Sequence, residues 1–205
     1  MAWFRFPILI AIVLMLAPAV RAADAEASDP AARQIENFYA VLIDTMKQGP
    51  ELGVQGRYRQ LTSITHETFD LAGMTQIAVG PSWGMLSEAD HMAVIDAFER
   101  LTIANYAKHF AKFTGQKFTV DPTVKMRNND KIVESKLVSG SSTVPFNYRM
   151  RLVGGTWKVV DVFLNGYVSQ LAVRRADFAP TVASSGAPGL IKKINELVDK
   201  EMAGG

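Results

Sequence analysis

The stretch "TVPFNYRMRLVGGTWKVVDVFLN", residues 143–165, decides the fold. In its first half Val144, Phe146, Tyr148, Met150 and Leu152 alternate with Asn147, Arg149 and Arg151. That period of two predicts a strand with one apolar and one polar face. Gly154-Gly155 supplies the positive φ that a tight hairpin turn requires. The second half, "TWKVVDVFLN", is apolar on both faces, which predicts a strand that is central or covered on both sides.

Upstream of this hairpin the same alternation recurs. "KFTVDPTVKM" (117–126) places Phe118, Val120, Val124 and Met126 on one side, "NND" (128–130) signals a turn, and "KIVESKLV" (131–138) reads as another strand. The expectation is an antiparallel meander of about four strands.

Both flanks read as helix. Asp29-Pro30 fits an N-cap followed by proline at the first helical position. Ile35, Phe38, Tyr39, Leu42, Ile43 and Met46 then form one apolar stripe, with a stop near Gly49-Pro50. A second helix is expected from about Val54 to Phe69, and a short one from Leu71 to Val79. Ser87 with Asp90 has the form of a capping box and opens the longest helix. Val94, Ile95, Phe98, Leu101, Tyr106 and Phe110 carry it to about Phe113, and Gly115 ends it. After Gly166 a helix is expected from Tyr167 to about Phe178, and a last one from Pro188 to Met202. Helices, then a meander, then helices predict an α+β fold with helices laid on one face of an antiparallel sheet.

The beginning of the chain has a different character. Arg5, an apolar run from Pro7 to Leu16 and the small-residue region "APAVRAADA" have the form of a secretory signal peptide, 1–22, cut near Ala22. A tail, 23–28, and one domain, 29–205, would follow. The whole chain has 22 basic and 20 acidic residues; loss of Arg5 and Arg21 leaves 20 against 20. Nucleic-acid binding therefore has no electrostatic support. There is no cysteine, so an exported product would depend on its core, not on disulfides. These features predict a soluble protein of the periplasm.

"GPSWG" (80–84) spells the G-x-S-x-G of the serine-hydrolase elbow. Only His91 and His109 follow Ser82, both on one expected helix, so no acid–His pair can converge on it from separate elements. His66, His91 and His109 lack metal-ligand spacing, and no phosphate-binding glycine loop occurs. No catalytic residue, metal or cofactor is expected. Asp161, mid-strand among valines, is the one acid with a claim to chemistry, as a base in an apolar pocket. A structural hydrogen bond or an Arg pair is the competing role.

Several segments together resemble a known family: "RYRQL" (57–61), "FDLAGMTQIAVGPSWGMLSEAD" (69–90), "FERLTIANYAKHF" (98–110), the run 144–178, and "GAPGLIKKI" (186–194). They resemble the toluene-tolerance or MlaC-type family of periplasmic lipid-binding proteins, over nearly the whole exported chain. Trp157, Asp161, Gly166, Arg175 and Phe178 carry the most specific part. "YVSQLAVRRADF" (167–178) departs from the commoner pattern and resembles the branch associated with hopanoids.

The resemblance implies a nuclear-transport-factor-like fold with an apolar pocket between sheet and helices. It implies a carrier of a hopanoid or phospholipid, with no catalytic residues, that docks transiently on an inner-membrane ABC transporter complex and an outer-membrane acceptor, as a monomer. On that basis the expected lining is Phe146, Tyr148 and Met150, with Phe118 and Val120 beside them and Trp157, Val159 and Phe163 continuing the sheet. Phe98, Leu101 and Tyr106 would close it, Phe69, Met74 and Trp83 would form the entrance, and Arg174 and Arg175 would meet an anionic headgroup. An exported enzyme using Asp161, and an exported chaperone or adaptor, are the rival functions.

Overall fold

The computed structural model describes residues 28–203. The expected signal peptide, 1–22, and most of the tail that follows lie outside the described residues. Helix α1 spans Pro30–Thr68, α2 Leu71–Val79 and α3 Glu88–His109, with a 3-10 turn at Gly80–Met85 between the last two. Strands β1 (Lys117–Val120), β2 (Lys125–Arg127), β3 (Asp130–Ser139), β4 (Ser142–Val153), β5 (Thr156–Leu164) and β6 (Val168–Ser169) follow, and α4 (Gln170–Met202) closes the chain. The fold is α+β, an open antiparallel sheet packed against helices, in the order β1-β3-β4-β5-β6.

The sheet has more strands than the four expected, for local reasons. Asp121-Pro122 interrupts the first one: Thr123 N donates to Asp121 Oδ1 at 2.8 Å, a side-chain turn that sets β2 apart from β1. Both still pair with β3. The two-residue β6 lines the far end of β5. Nearer the hairpin, β5 is bordered by Phe69, which bridges to Val159 in parallel, while Asp70 N donates to Val159 O at 2.9 Å. Val159, Val160 and Val162 are accordingly all buried.

One irregularity in the pairing of β4 with β5 changes which side chains face the core. Arg149 pairs with Asp161, but Met150 pairs with Val159. Val160 is the extra residue of a β-bulge, and a bulge reverses which side chains face the core beyond it. Trp157 and Val159 share the inner face with Leu152 and Met150. Past the bulge the inner residues are Val162, opposite Tyr148, and Leu164, opposite Phe146. Phe163, expected on the inner face, lies opposite Asn147 on the other one.

The helices depart from expectation in the way they join. The predicted stop at Gly49-Pro50 is a kink inside α1, placed at Gly53 with φ 58°. Pro50 offers no backbone N–H to the preceding turn, and a glycine takes the left-handed position at no steric cost. The two expected C-terminal helices are likewise one element, α4, broken at Gly186 with φ 63°. The long helix α3 ends at His109, short of Phe113, whose N–H donates instead to Met46 O at 3.0 Å.

Caps match their sequence signals. Asp29 Oδ1 accepts from Ala31 N at 2.8 Å, and Ser87 and Asp90 exchange both capping-box bonds. Arg57 is buried and braces the kink: its Nε donates to Ala107 O and its Nη1 to Gly49 O, each at 2.7 Å. It thereby satisfies a carbonyl of the last turn of α3 that the helix leaves unpaired. Burial pushes its pKa down from the usual arginine value.

The core lies between the inner face of the sheet and the helices. Phe38, Leu42, Leu61, Val133, Met150 and Val159 are fully buried there. A chain of hydroxyls crosses it. Tyr39 Oη lies 2.6 Å from Ser135 Oγ and 3.0 Å from Tyr148 Oη, and Ser135 Oγ donates to Phe146 O at 2.5 Å. Burial pushes the Tyr39 phenol up to about 12 and raises the Tyr148 phenol well above its ordinary value, so both stay neutral. Buried hydroxyls satisfied in this way fix the register of α1 on the sheet instead of costing stability.

Candidate functional site

A cavity of about 460 Å³ opens between the far end of the sheet and the helices. That is within the ~300–1,000 Å³ range of sites that enclose small ligands. Its floor is the inner face past the bulge: Phe146 of β4 and Val162 and Leu164 of β5. Phe69 and Met74 close one side from the junction of α1 and α2. The opposite wall is α3, with Phe98, Tyr106 and Phe110. Aromatic contacts hold this wall to the core: Tyr106 packs edge-on to Phe38 at 5.1 Å and stacks on Phe110 at 5.7 Å between ring centroids. Burial raises the Tyr106 phenol well above its ordinary value, so it too stays neutral.

The rest of the lining is polar and comes from two helix stripes. Thr102, Asn105 and His109 recur at three- and four-residue spacing along α3. Gln170 and Arg174 stand one turn apart on the first turns of α4, with Leu171 beside them. Three of these polar groups are already tied to their own backbone. Thr102 Oγ1 donates to Phe98 O at 2.9 Å, Asn105 Nδ2 to Leu101 O at 2.8 Å, and Gln170 Nε2 to Val168 O at 3.1 Å. His109 Nε2 lies 3.7 Å from Glu201 Oε2. Arg174 is half-buried and makes no hydrogen bond or ion pair with any described residue.

Of the expected lining residues, Phe69, Met74, Phe98, Tyr106, Phe146 and Arg174 meet around this cavity. The others sit elsewhere. Leu101, Met150 and Val159 are packed in solid core. Tyr148 is buried in the hydroxyl chain, and Phe118 stacks on Tyr39 at 4.1 Å. Val120 borders a second, polar groove of about 380 Å³ with Thr119, Glu134 and Lys136. Trp157 lies under Lys131, whose Nζ is 4.4 Å from the ring centroid and 2.6 Å from Asp29 Oδ2. Phe163 is turned to the other face by the bulge. Trp83 stacks on His91 at 4.0 Å in the 3-10 turn region. Arg175 lies against Gly80, where an added Cβ would come within 2.8 Å of its Nε.

Two features bear on chemistry. Asp161 is spent on structure: its Oδ2 accepts from Ser169 Oγ at 2.6 Å, and its Oδ1 from Val162 N at 2.8 Å and Leu171 N at 3.2 Å. It anchors the start of α4 to β5 from outside the cavity lining. Ser82 is buried within the 3-10 turn, while His91 engages its neighbours, with Nε2 2.9 Å from Trp83 O and Nδ1 3.6 Å from Glu88 Oε2. Among the described residues no cluster could hold a metal ion, and no helix is long and apolar enough to cross a membrane.

Val162, Leu164, Phe110 and Leu171 were missed by sequence reasoning, as were the polar Thr102, Asn105, His109 and Gln170. The bulge hid the first two. The α3 stripe did have a signal, since Thr102, Asn105 and His109 recur at three- and four-residue spacing beside the apolar face of the helix.

The model of the family described as MlaC protein matches residues 36–196. No curated protein matches the sequence. Among solved structures, the fold is similar to that of a phospholipid-binding protein from Ralstonia solanacearum, determined in complex with a phospholipid. The TM-score is 0.74 at 21% sequence identity, over 83% of this chain and 98% of that one.

Proposed function

This chain belongs to the MlaC family, and from that premise we propose that it is a periplasmic carrier that encloses the apolar part of a membrane lipid in the cavity between α3, α4 and the sheet. The single observation that carries the reading is the composition of that cavity. Phe146, Val162 and Leu164 form an apolar floor, and the polar groups are confined to two helix stripes. An amphiphile fits such a division: its chain lies on the floor and its polar group against the stripes.

The energetics give the carrier its task. Each buried methylene is worth roughly 0.8 kcal/mol, so a sixteen-carbon chain approaches ten kcal/mol or more. A lipid does not cross water unaided at a useful rate against that cost. Release into water is equally slow, so delivery requires docking on a partner that opens the cavity. The balanced charge expected of the exported chain suits brief docking on an inner-membrane ABC transporter complex and on an outer-membrane acceptor, with the protein acting as a monomer. The ligand is a phospholipid or a hopanoid. The sequence departure at 167–178 supports the hopanoid, and the phospholipid held by the Ralstonia solanacearum protein supports the other.

Organic extraction of protein purified without detergent, followed by mass spectrometry, tests this reading. About one lipid per protein is expected. An empty extract from folded protein counts against a carrier and favours the adaptor. Turnover abolished by Asp161→Asn would favour the enzyme.

A further inference from the structure

The polar wall of the cavity is uneven in what it can offer a ligand. Thr102 has spent its one hydroxyl hydrogen on Phe98 O, so toward the cavity it retains only acceptor capacity. Asn105 and Gln170 each use one of two amide hydrogens on a backbone carbonyl, and their side-chain carbonyl oxygens, Oδ1 and Oε1, carry no hydrogen bond within the described residues. Sharing the cavity lining with these acceptors is Arg174, a donor-only guanidinium with no partner among the described residues.

Other arginines are differently placed. Arg57, turned inward, donates to two backbone carbonyls, and Arg149 and Arg151, on the outer face, bond Asp130. Arg174 alone among these stands half-buried at a cavity without an acceptor. A partly desolvated cation without a partner is costly, and a bound anion removes that cost. The other titratable side chain of the lining is His109, whose Nε2 lies 3.7 Å from Glu201 Oε2.

Resting on the lipid-carrier reading, we propose that this cavity mouth selects lipids by headgroup: an anionic phosphate seats on Arg174 while N–H or O–H donors beyond it bond to Asn105, Gln170 and Thr102. Ethanolamine and glycerol headgroups satisfy both halves. A choline headgroup has the phosphate but no donor. A diacylglycerol has no phosphate for Arg174.

The test is a competition. The exported chain, stripped of lipid, is incubated with vesicles holding equal amounts of diacylglycerol and of phosphatidylcholine, phosphatidylethanolamine and phosphatidylglycerol with the same acyl chains. The protein is re-isolated and its lipid quantified by mass spectrometry. Wild type should take the ethanolamine and glycerol lipids about fivefold over the choline lipid, the worth of one to two net hydrogen bonds. It should take the phospholipids about tenfold over diacylglycerol, the worth of a charge-assisted contact. Arg174→Met should remove most of the second ratio, and the paired change Asn105→Leu with Gln170→Leu most of the first. These ratios are internal to each sample, so a loss of folded protein does not alter them. Uptake of all four lipids in equal measure, or ratios unmoved by the substitutions, overturns headgroup selection and leaves the carrier standing. Wild type that takes up no lipid overturns both.

Discussion

At the hairpin end of the sheet, Met150, Val133 and Val159 are fully buried beneath the helices. At the other end Phe146, Val162 and Leu164 face a cavity instead. The residue types are the same, and the strands β4 and β5 run through both ends. The difference comes from what lies above. At the hairpin end Phe69 crosses to β5 and bridges Val159, bringing helix backbone down onto the sheet. At the far end α3 and α4 border the cavity with their polar stripes, and Asp161 holds the start of α4 at the edge of β5. The lesson is that a pocket of this kind is made by helix placement, with the sheet supplying a floor that would serve equally well as core.

Substitutions that separate the two ends should give different readouts, and the largest effect belongs to the solid one. Met150→Ala leaves a cavity where side chains are closely packed and should cost about 3 kcal/mol of stability in chemical denaturation. Lipid content per folded molecule should not change. A Met150→Ala protein that folds normally but loses its lipid would erase the distinction between the ends.

Next in size is the ion cluster on the outer face. Asp130 is buried and receives Arg149 Nε at 2.5 Å and Arg151 Nε at 2.8 Å. Asp130→Asn should cost about 2 kcal/mol at neutral pH, below the figure for fully buried pairs because both arginines keep considerable exposure. Hydrogen bonds from Arg151, and then from Arg149, hold the Asp130 carboxyl below the usual carboxylate range, against the opposing effect of burial. A depressed folded-state pKa means that its stabilisation is present above the unfolded-state value near ~4 and is lost as pH falls through the folded value. The stability gap between wild type and Asp130→Asn should therefore close on acidification below about pH 4. A gap that widened there would reverse the sign of this account.

The hollow end should show the opposite balance. Leu164→Ala removes part of a cavity wall already in contact with open space, so it should cost only about 1 kcal/mol. Its larger effect should be on lipid retained through purification, which should fall by about half or more on the loss of roughly one to two kcal/mol of apolar contact. The smallest effects belong to the 3-10 turn. Ser82→Ala should stay within about 0.5 kcal/mol and keep its lipid. Trp83→Ala, which loses the stack on His91, should cost about 1 kcal/mol with lipid retained.

The helical flanks and the antiparallel meander were legible because each has a strict period and clear punctuation, such as Asp29-Pro30, Ser87 with Asp90, and Gly154-Gly155. The joins between helices were less so. Gly53 and Gly186 break helices without ending them, and a glycine near a proline reads equally well as a stop or as a kink. The candidate site was legible only in part. Phe146, Phe98, Tyr106, Phe69, Met74 and Arg174 border one cavity, but Met150, Val159 and Leu101 have the same apolar signature and are core. Phe163 was misplaced because a bulge at Val160 leaves no mark in a run of valines. Arg174 and Arg175 are neighbours in sequence, and only the start of α4 decides that one turns to the cavity and the other to Gly80.

The most direct test of the division between solid and hollow ends is photo-crosslinking with a phospholipid that carries a diazirine on its acyl chain, read by peptide mass spectrometry. Adducts are predicted on the cavity residues Phe146, Val162, Leu164 and Phe110. Adducts confined to Met150, Trp157 or Val159, or to none of the sheet, would contradict the account.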